Sequence, residues 1–415
     1  MRSDIEELLK DNEVYRAYRE AERRLRARFS KRTVADVVEA LGSVGDVKLQ
    51  RYYIELWKER GDDPDYFVQT EAYINHEMCD SVALRRSLRK ANNLLITADI
   101  VASYYGRPDV SLIIAGRLKG SNYKVKAYGR EYRDFILDLI VNRALIYMGL
   151  PTNLESLRRD YGLSEFLMAT LSFIGGITSG EFERHLRKVG DLINGALAKG
   201  DRPVVMSLGR YRAFVELDAF TLELLKNTYE KYGSRYNAIL SDIFLSFLTE
   251  KPLPDASAIP HDCGFLRTHY DLLLKYREGR DYTVPDRMAG MGALWWYVNR
   301  RKKGLPYLSF SGKLRLYDGV KEIRFRSKRV VVALAFLRLL GREFLEANLH
   351  VVFPGAKNPK RRLYQALAYL GRYRYVPTDA RITIRAGNFL RDEDEPWAIL
   401  LKERMLNRDN PQPLL

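Results

Sequence analysis

Lys313-Leu314-Arg315-Leu316-Tyr317-Asp318-Gly319-Val320-Lys321-Glu322-Ile323-Arg324-Phe325 alternates apolar and polar residues on both sides of Asp-Gly. That pattern predicts a β-hairpin closed by a two-residue type I′ turn at Asp318-Gly319. The turn would pair Tyr317 with Val320, Leu316 with Lys321, Arg315 with Glu322 and Leu314 with Ile323. Period-two alternation then gives Leu314, Leu316, Ile323 and Phe325 one face. Lys313, Arg315, Tyr317 and Arg324 take the other, with Lys313 opposite Arg324. A like-charge pair across a ladder is unfavourable unless an anion covers it, so this face is a candidate nucleic-acid contact.

Helices flank the hairpin. Met291 to Asn299 and Lys328 to Leu340 read as helices, the first followed by a basic loop, Arg300-Arg301-Lys302-Lys303. Four consecutive cations suit a phosphate backbone, which rewards charge without demanding geometry. Asn358-Pro359 reads as an N-cap followed by proline at the first helical position, for a helix running to Leu370. Lys360, Arg361 and Arg362 crowd its N-terminal end, where cations oppose the helix dipole but favour phosphate. Beyond it, Arg372 to Val376 and Arg381 to Ile384 alternate as strands around residues 377–380. A groove-entering helix with a trailing β-wing is winged-helix logic, with Arg372, Arg374, Arg381 and Arg385 as backbone contacts and Tyr373 and Tyr375 as stacking residues.

Charge sets these elements apart. Residues 300–391 hold 22 Lys and Arg against five Asp and Glu, an excess of 17, while the 415-residue chain carries +16. The other 323 residues therefore come to −1. So concentrated a basic surface is the footprint of a polyanion, and the expected partner is nucleic acid, DNA or RNA, with other protein subunits as further candidates.

The N-terminal part reads as mostly helical, with apolar residues at helical spacing in Val34–Leu41, Leu49–Trp57, Phe135–Met148, Phe166–Ile174 and Leu217–Leu225. Two β-hairpins interrupt it: Val110–Leu118 with Tyr123–Tyr128, and Val204–Leu208 with Ala213–Leu217 around Gly209. Leu154–Leu171 has helix-turn-helix spacing around Gly162. Three prolines within residues 249–260 suggest a linker or long surface loop. The expected organisation is a helical domain over residues 1–250, a proline-rich linker or loop over 251–261, a basic domain over 262–391 and a tail from 392 to 415. The fold class is mainly α with inserted β-hairpins.

Chemistry is less evident. Glu216 and Asp218, at the end of a predicted strand, would share one side and could hold Mg²⁺ in a nuclease or nucleotidyltransferase. His76, Cys79, His261 and Cys263, with His269, are weak zinc candidates because their spacings match no standard finger. No Walker loop, dinucleotide fingerprint or nucleophile motif is present, so no cofactor is expected. Two cysteines argue against a disulfide framework, and no apolar run approaches the roughly 18 residues of a membrane helix. The N-terminal residues lack the apolar core of a signal peptide. A cytoplasmic protein without membrane partners is expected. Only four glutamines occur, and Arg outnumbers Lys about two to one, a composition of hyperthermophilic, archaeal character. The functional expectation is a nucleic-acid-binding protein, a replication or partition factor or a subunit of an RNA-guided effector complex.

Overall fold

In a computed structural model, residues 13–119, 130–153, 202–280, 286–385 and 395–409 are described, with a few isolated residues between them. The expected class holds: among the described residues, 19 α-helices accompany one small three-stranded antiparallel sheet. The chain forms two compact units, and it passes from the first to the second between Gly292 and Ala293.

The first unit contains α1 (Val14–Ala27), α2 (Lys31–Val44), α3 (Val47–Arg60), α4 (Val68–Glu77), α5 (Ser81–Ala91) and α6 (Leu94–Ser103). It continues with α7 (Pro108–Lys119), α8 (Arg130–Met148), α9 (Arg202–Glu216), α10 (Ala219–Tyr232), α11 (Arg235–Thr249) and α12 (Gly264–Arg277). Local signals set many of these ends. Ser30 and Thr33 form a capping box at the start of α2, and Gly45, at φ 80°, ends it. Asp46 then caps α3 through the Leu49 N–H at 3.0 Å. The central helix α11 buries Leu240, Ile243, Phe244, Leu245 and Phe247, and Phe244 stacks on Phe214 at 3.9 Å.

Several sequence expectations fail here. Val110–Leu118 belongs to α7, and Val204–Leu208 with Ala213–Glu216 belong to the single helix α9, so neither inserted hairpin exists as read. Residues 123–128 and the helix-turn-helix segment 154–171 lie outside the described residues, as does the helix expected over 166–174. The proline-rich stretch, expected as a linker or long surface loop, is a mostly exposed loop strapped down at a few points. Arg277 donates to the carbonyls of Ser246 (2.6 Å) and Lys251, while Arg267 donates to those of Ile259 (3.1 Å) and Pro260 (3.2 Å). Ile259 is buried, and the strap lies within the first unit.

Helix α13 (Ala289–Lys302) leads into the second unit, followed by β1 (Pro306–Ser309), β2 (Arg315–Asp318) and β3 (Lys321–Ile323) in spatial order β1-β2-β3. Strand β1 had no sequence expectation. Its outer edge is covered by residues 377–379: the Leu308 N–H donates to the Pro377 carbonyl at 2.9 Å, and the Asp379 N–H to the Leu308 carbonyl at 3.2 Å. Then come α14 (Lys328–Leu339), α15 (Arg342–Ala347), α16 (Leu349–Val352), α17 (Pro359–Leu370), a 3₁₀ turn (Gly371–Tyr375), α18 (Ala380–Arg385) and α19 (Pro396–Asp409). Helix α14 is buried from Val330 to Phe336, with Leu308 and Leu316 of the sheet and Leu363, Ala366 and Leu370 of α17 in the same core. Trp397, Leu401 and Met405 join that core, so the expected tail contains a core helix.

One buried carboxylate ties α13, β1 and residue 379 together. Asp379 accepts from Tyr297 Oη (2.8 Å), Ser309 Oγ (2.6 Å) and the Phe310 N–H (2.7 Å). Burial pushes its carboxyl up to about 6, and the three donors hold it from rising further.

Candidate nucleic-acid interface

The hairpin forms with a register different from the one expected. Leu316 pairs with Ile323, Tyr317 with Glu322 and Asp318 with Lys321, which leaves Gly319 and Val320 as the turn. Gly319 takes φ 61°, and Val320 is not among the positive-φ residues, so the turn carries its glycine first, as in type II′. The slip keeps alternation intact, since Leu314 and Leu316 remain buried with Ile323 and Phe325 packed against the same core. It also removes the expected Lys313–Arg324 pair. Lys313 precedes β2 and is exposed, while Arg324 lies 3.3 Å from Glu322. Tyr317 is not a surface platform either: it is buried and stacks on Tyr307 at 5.1 Å. Arg315, half-buried, lies 3.4 Å from the Tyr317 hydroxyl.

The basic loop is the last turn of α13. Arg300, Arg301 and Lys302 are helical, favoured there by the macrodipole, and Lys303 follows, exposed. Arg300 sits over the Trp296 ring at 5.5 Å, while Trp295 is fully buried. The hairpin turn rests on this helix end, with the Gly319 N–H donating to the Leu305 carbonyl at 3.3 Å. At the same place Arg372 pairs with Asp318, and the Tyr373 hydroxyl donates to that carboxylate at 2.9 Å. The structure thus brings Lys321 and Arg372 to Asp318 at one end of the sheet, with Lys303 on the helix end against which the hairpin turn rests.

No β-wing follows α17. Residues 371–375 form a 3₁₀ turn and 380–385 a helix, so Tyr373 and Tyr375 do not alternate along a strand. Arg374 instead donates to the Leu367 carbonyl at 2.7 Å, tying the turn back onto α17. Arg381 is exposed on α18, and Arg385 is half-buried. Tyr375 stands 80% exposed, whereas Tyr373 is held by Asp318.

Helix α17 meets its expectation closely. Asn358 accepts from the Arg361 N–H at 3.0 Å, and Pro359 occupies the first turn. Leu363, Ala366 and Leu370 are buried. On the exposed side Arg361, Gln365 and Ala368 recur at helical spacing, flanked by Tyr364 (59% exposed) and Tyr369 (72%). No acid occurs from Pro359 to Leu370. Lys357, Lys360, Arg361 and Arg362 are exposed and form no ion pair among the described residues. At 1.5 Å per residue, the helix from Lys360 to Leu370 spans about 15 Å, which matches about four phosphates of one strand. Tyr364 and Tyr369 had no sequence expectation, although their place opposite the apolar stripe identified them.

The remaining candidates take structural roles. Glu216 ends α9 and pairs with Arg212 at 2.9 Å. Asp218 caps α10, accepting from the Thr221 N–H (3.0 Å) and hydroxyl (2.6 Å), bonds that hold its carboxyl below the usual range. They lie on a helix end and a helix cap, not on one side of a strand. His76 packs at a tilt on Tyr236 at 4.4 Å beside Glu77, and His269 packs between Phe244 and Phe265, where burial pushes its imidazole down to about 3. Cys79 and Cys263 are free, buried thiols; burial raises Cys79 to about 12, and His261 is exposed. Among the described residues no three His, Cys, Asp or Glu side chains form a metal-holding group, and no helix is long and apolar enough to cross a membrane. No protein-family model matches the chain, nor does any curated protein or solved structure.

Proposed function

We propose that this protein binds nucleic acid, DNA or RNA, through its second unit. The observation that carries the reading is the exposed face of α17: cations crowd its N-terminal end, tyrosines flank it, and it bears no acid. Cations at a helix N-terminus weaken the helix by about 0.3–1 kcal/mol each, an arrangement that a bound phosphate reverses. Lys and Arg neutralise the backbone, and Tyr364, Tyr369 and Tyr375 offer ring faces for unpaired bases. Lys303, Lys321 and Arg372 extend the interface beyond the C-terminal end of α17. Arg23, Arg24 and Arg26 offer a contrast, because their helix supplies its own anions, Glu20 and Glu22.

The corresponding role is non-catalytic, in a replication or partition factor or as a subunit of an RNA-guided effector complex. Free buried cysteines accord with a cytoplasmic setting, and helical ion pairs with a hyperthermophilic, archaeal source. Binding is measured by fluorescence anisotropy with labelled duplex and single strands across a salt series. With about six phosphates engaged, log K against log salt has a slope near −5 for duplex or −4 for a single strand. A flat titration rejects the proposal. Competition by heparin without any binding of defined nucleic acids assigns the basic face to an acidic protein instead.

A further inference from the structure

The first unit, nearly neutral in sum, gathers cations of its own. Helix α5 carries Arg85, Arg86, Arg89 and Lys90 in eleven residues without an acid. At its N-terminal end lies a cleft of about 600 Å³, a volume within the range of small-molecule sites. Three helices each contribute an arginine to it: Arg51 from α3, Arg85 from α5 and Arg235 from the first residue of α11. Met78, Val82 and Pro260 add apolar wall. A second cleft, sharing Val82 and Arg85, adjoins it and adds Arg86, Arg89 and Lys90.

The local acids offset this set only in part. Asp80 is committed to capping α5, accepting from the Ala83 N–H at 3.0 Å, so the helix N-terminus is already occupied. Asp262 accepts from the Ser81 hydroxyl and forms a long ion pair with Arg85, at 3.7 Å from its Nε. Arg51 pairs with Glu55 through Nε at 2.8 Å. Arg235 forms no ion pair among the described residues and donates only to the Ala258 carbonyl, at 3.4 Å. Each guanidinium carries five N–H donors. Across the three, four donors meet protein acceptors: Glu55, Met78 Sδ, the Ser81 carbonyl and the Ala258 carbonyl. Three guanidinium groups lining one cleft with most donors open to solvent present a ready site for a multivalent acceptor, and phosphate is the oxyanion that guanidinium geometry matches.

We infer that this cleft binds a phosphate ester of nucleotide size, its phosphate held by Arg51, Arg85 and Arg235 and its organic part against Met78, Val82 and Pro260. The site is independent of the α17 interface. The phosphate comes from a free nucleotide or from the terminal phosphate of a strand, and the test separates these sources. Titration calorimetry on the full chain uses a nucleoside monophosphate, the matching nucleoside, inorganic phosphate, and short oligonucleotides with 5′-phosphate or 5′-hydroxyl ends. Binding of the monophosphate but not of the nucleoside is expected. Arg85→Ala and Arg235→Ala should each weaken it by about tenfold or more, the usual loss for a charge-assisted bond. Val82→Glu, at a position 62% exposed on α5, adds an anion to the cleft wall without disturbing the core and should abolish binding. Charge removal on α17 should leave it unchanged. A 5′-phosphate preference among oligonucleotides assigns the strand end; equal oligonucleotide binding with tight monophosphate binding assigns the free nucleotide. Absence of monophosphate binding at millimolar concentration, or binding that survives both arginine changes and Val82→Glu, overturns the inference.

Discussion

Replacing Lys360, Arg361 and Arg362 together by alanine separates binding from folding. The three side chains are exposed, make no ion pair among the described residues and crowd the positive end of α17. Their removal therefore takes away no intramolecular partner and relieves repulsion with the helix dipole, while alanine raises helix propensity. The expected change in stability is zero to about 2 kcal/mol in the stabilising direction. For binding, each phosphate that the variant no longer neutralises lowers the salt slope by about 0.9 on duplex. At 0.1 M salt that corresponds to nearly a tenfold weakening per phosphate, so three phosphates account for roughly 500-fold in affinity and about 2.7 in the slope. Anisotropy titrations at four or five salt concentrations give both quantities from one data set, and urea unfolding gives the stability. The matched control is Arg23→Ala with Arg24→Ala, where both side chains already pair with Glu20. An unchanged slope in the triple variant, or an equal weakening in the control, refutes the assignment of α17. A large drop in stability would contradict the claim that these cations serve no fold role.

Three further outcomes test the structure itself. The Asp379 carboxyl stays protonated up to about pH 6 when folded but ionises near 3.8 when unfolded, so the folded state binds the extra proton between those values. Stability from this group is greatest below pH 4 and falls by up to about 3 kcal/mol as pH rises to 6; urea unfolding of wild type and Asp379→Asn across pH 4–7 should show that difference in slope. Gly319→Ala should lower stability by about 1–3 kcal/mol, because the residue holds φ 61° and a Cβ there would lie 2.9 Å from Gly304 Cα; an unchanged melting temperature would contradict the turn geometry. Asp218→Ala should cost about 1 kcal/mol by removing an N-cap, with Asp218→Asn largely restoring it. Incubation of the protein with DNA or RNA and Mg²⁺ or Mn²⁺ should yield no product whose formation depends on Asp218.

What could be read from the chain depended on how local the controlling interaction is. Asn358-Pro359 fixes the start of α17 through a bond three residues away, and Leu363, Ala366 and Leu370 fix its buried face. Val110–Leu118 resembled a strand because Val110, Ile113 and Ile114 are β-branched, yet α6 and α8 pack beside α7 and bury Ala115 and Leu118. An apolar segment with packing on more than one side loses the periodicity that distinguishes helix from strand. Gly209 looked like a turn but sits inside α9, where a Cβ would meet only Leu225 Cδ1 at an ordinary 3.6 Å. Glycine there is a tolerated helical residue, and the false turn also misplaced Glu216 and Asp218.

The candidate interface divides along the same line. Charge is additive, so the basic excess of residues 300–391 needed no fold to be seen, and the cations of α17 followed from a correctly read helix. Which cations remain available is decided by distant partners. Asp318 engages Arg372, the Leu367 carbonyl takes Arg374, and the Val376 carbonyl takes Arg338 at 2.9 Å. Register is the most distant determinant of all. The Asp-Gly preference for a type I′ turn is a bias of about the size that one tertiary interaction can overturn, and here the hairpin tip rests on the end of α13, with Gly319 against Gly304. Seating Gly319 there moved the turn by one residue and dissolved the Lys313–Arg324 pair. The candidate anion-binding face is consequently that of α17, whose exposed cations owe their position to one helix and one cap.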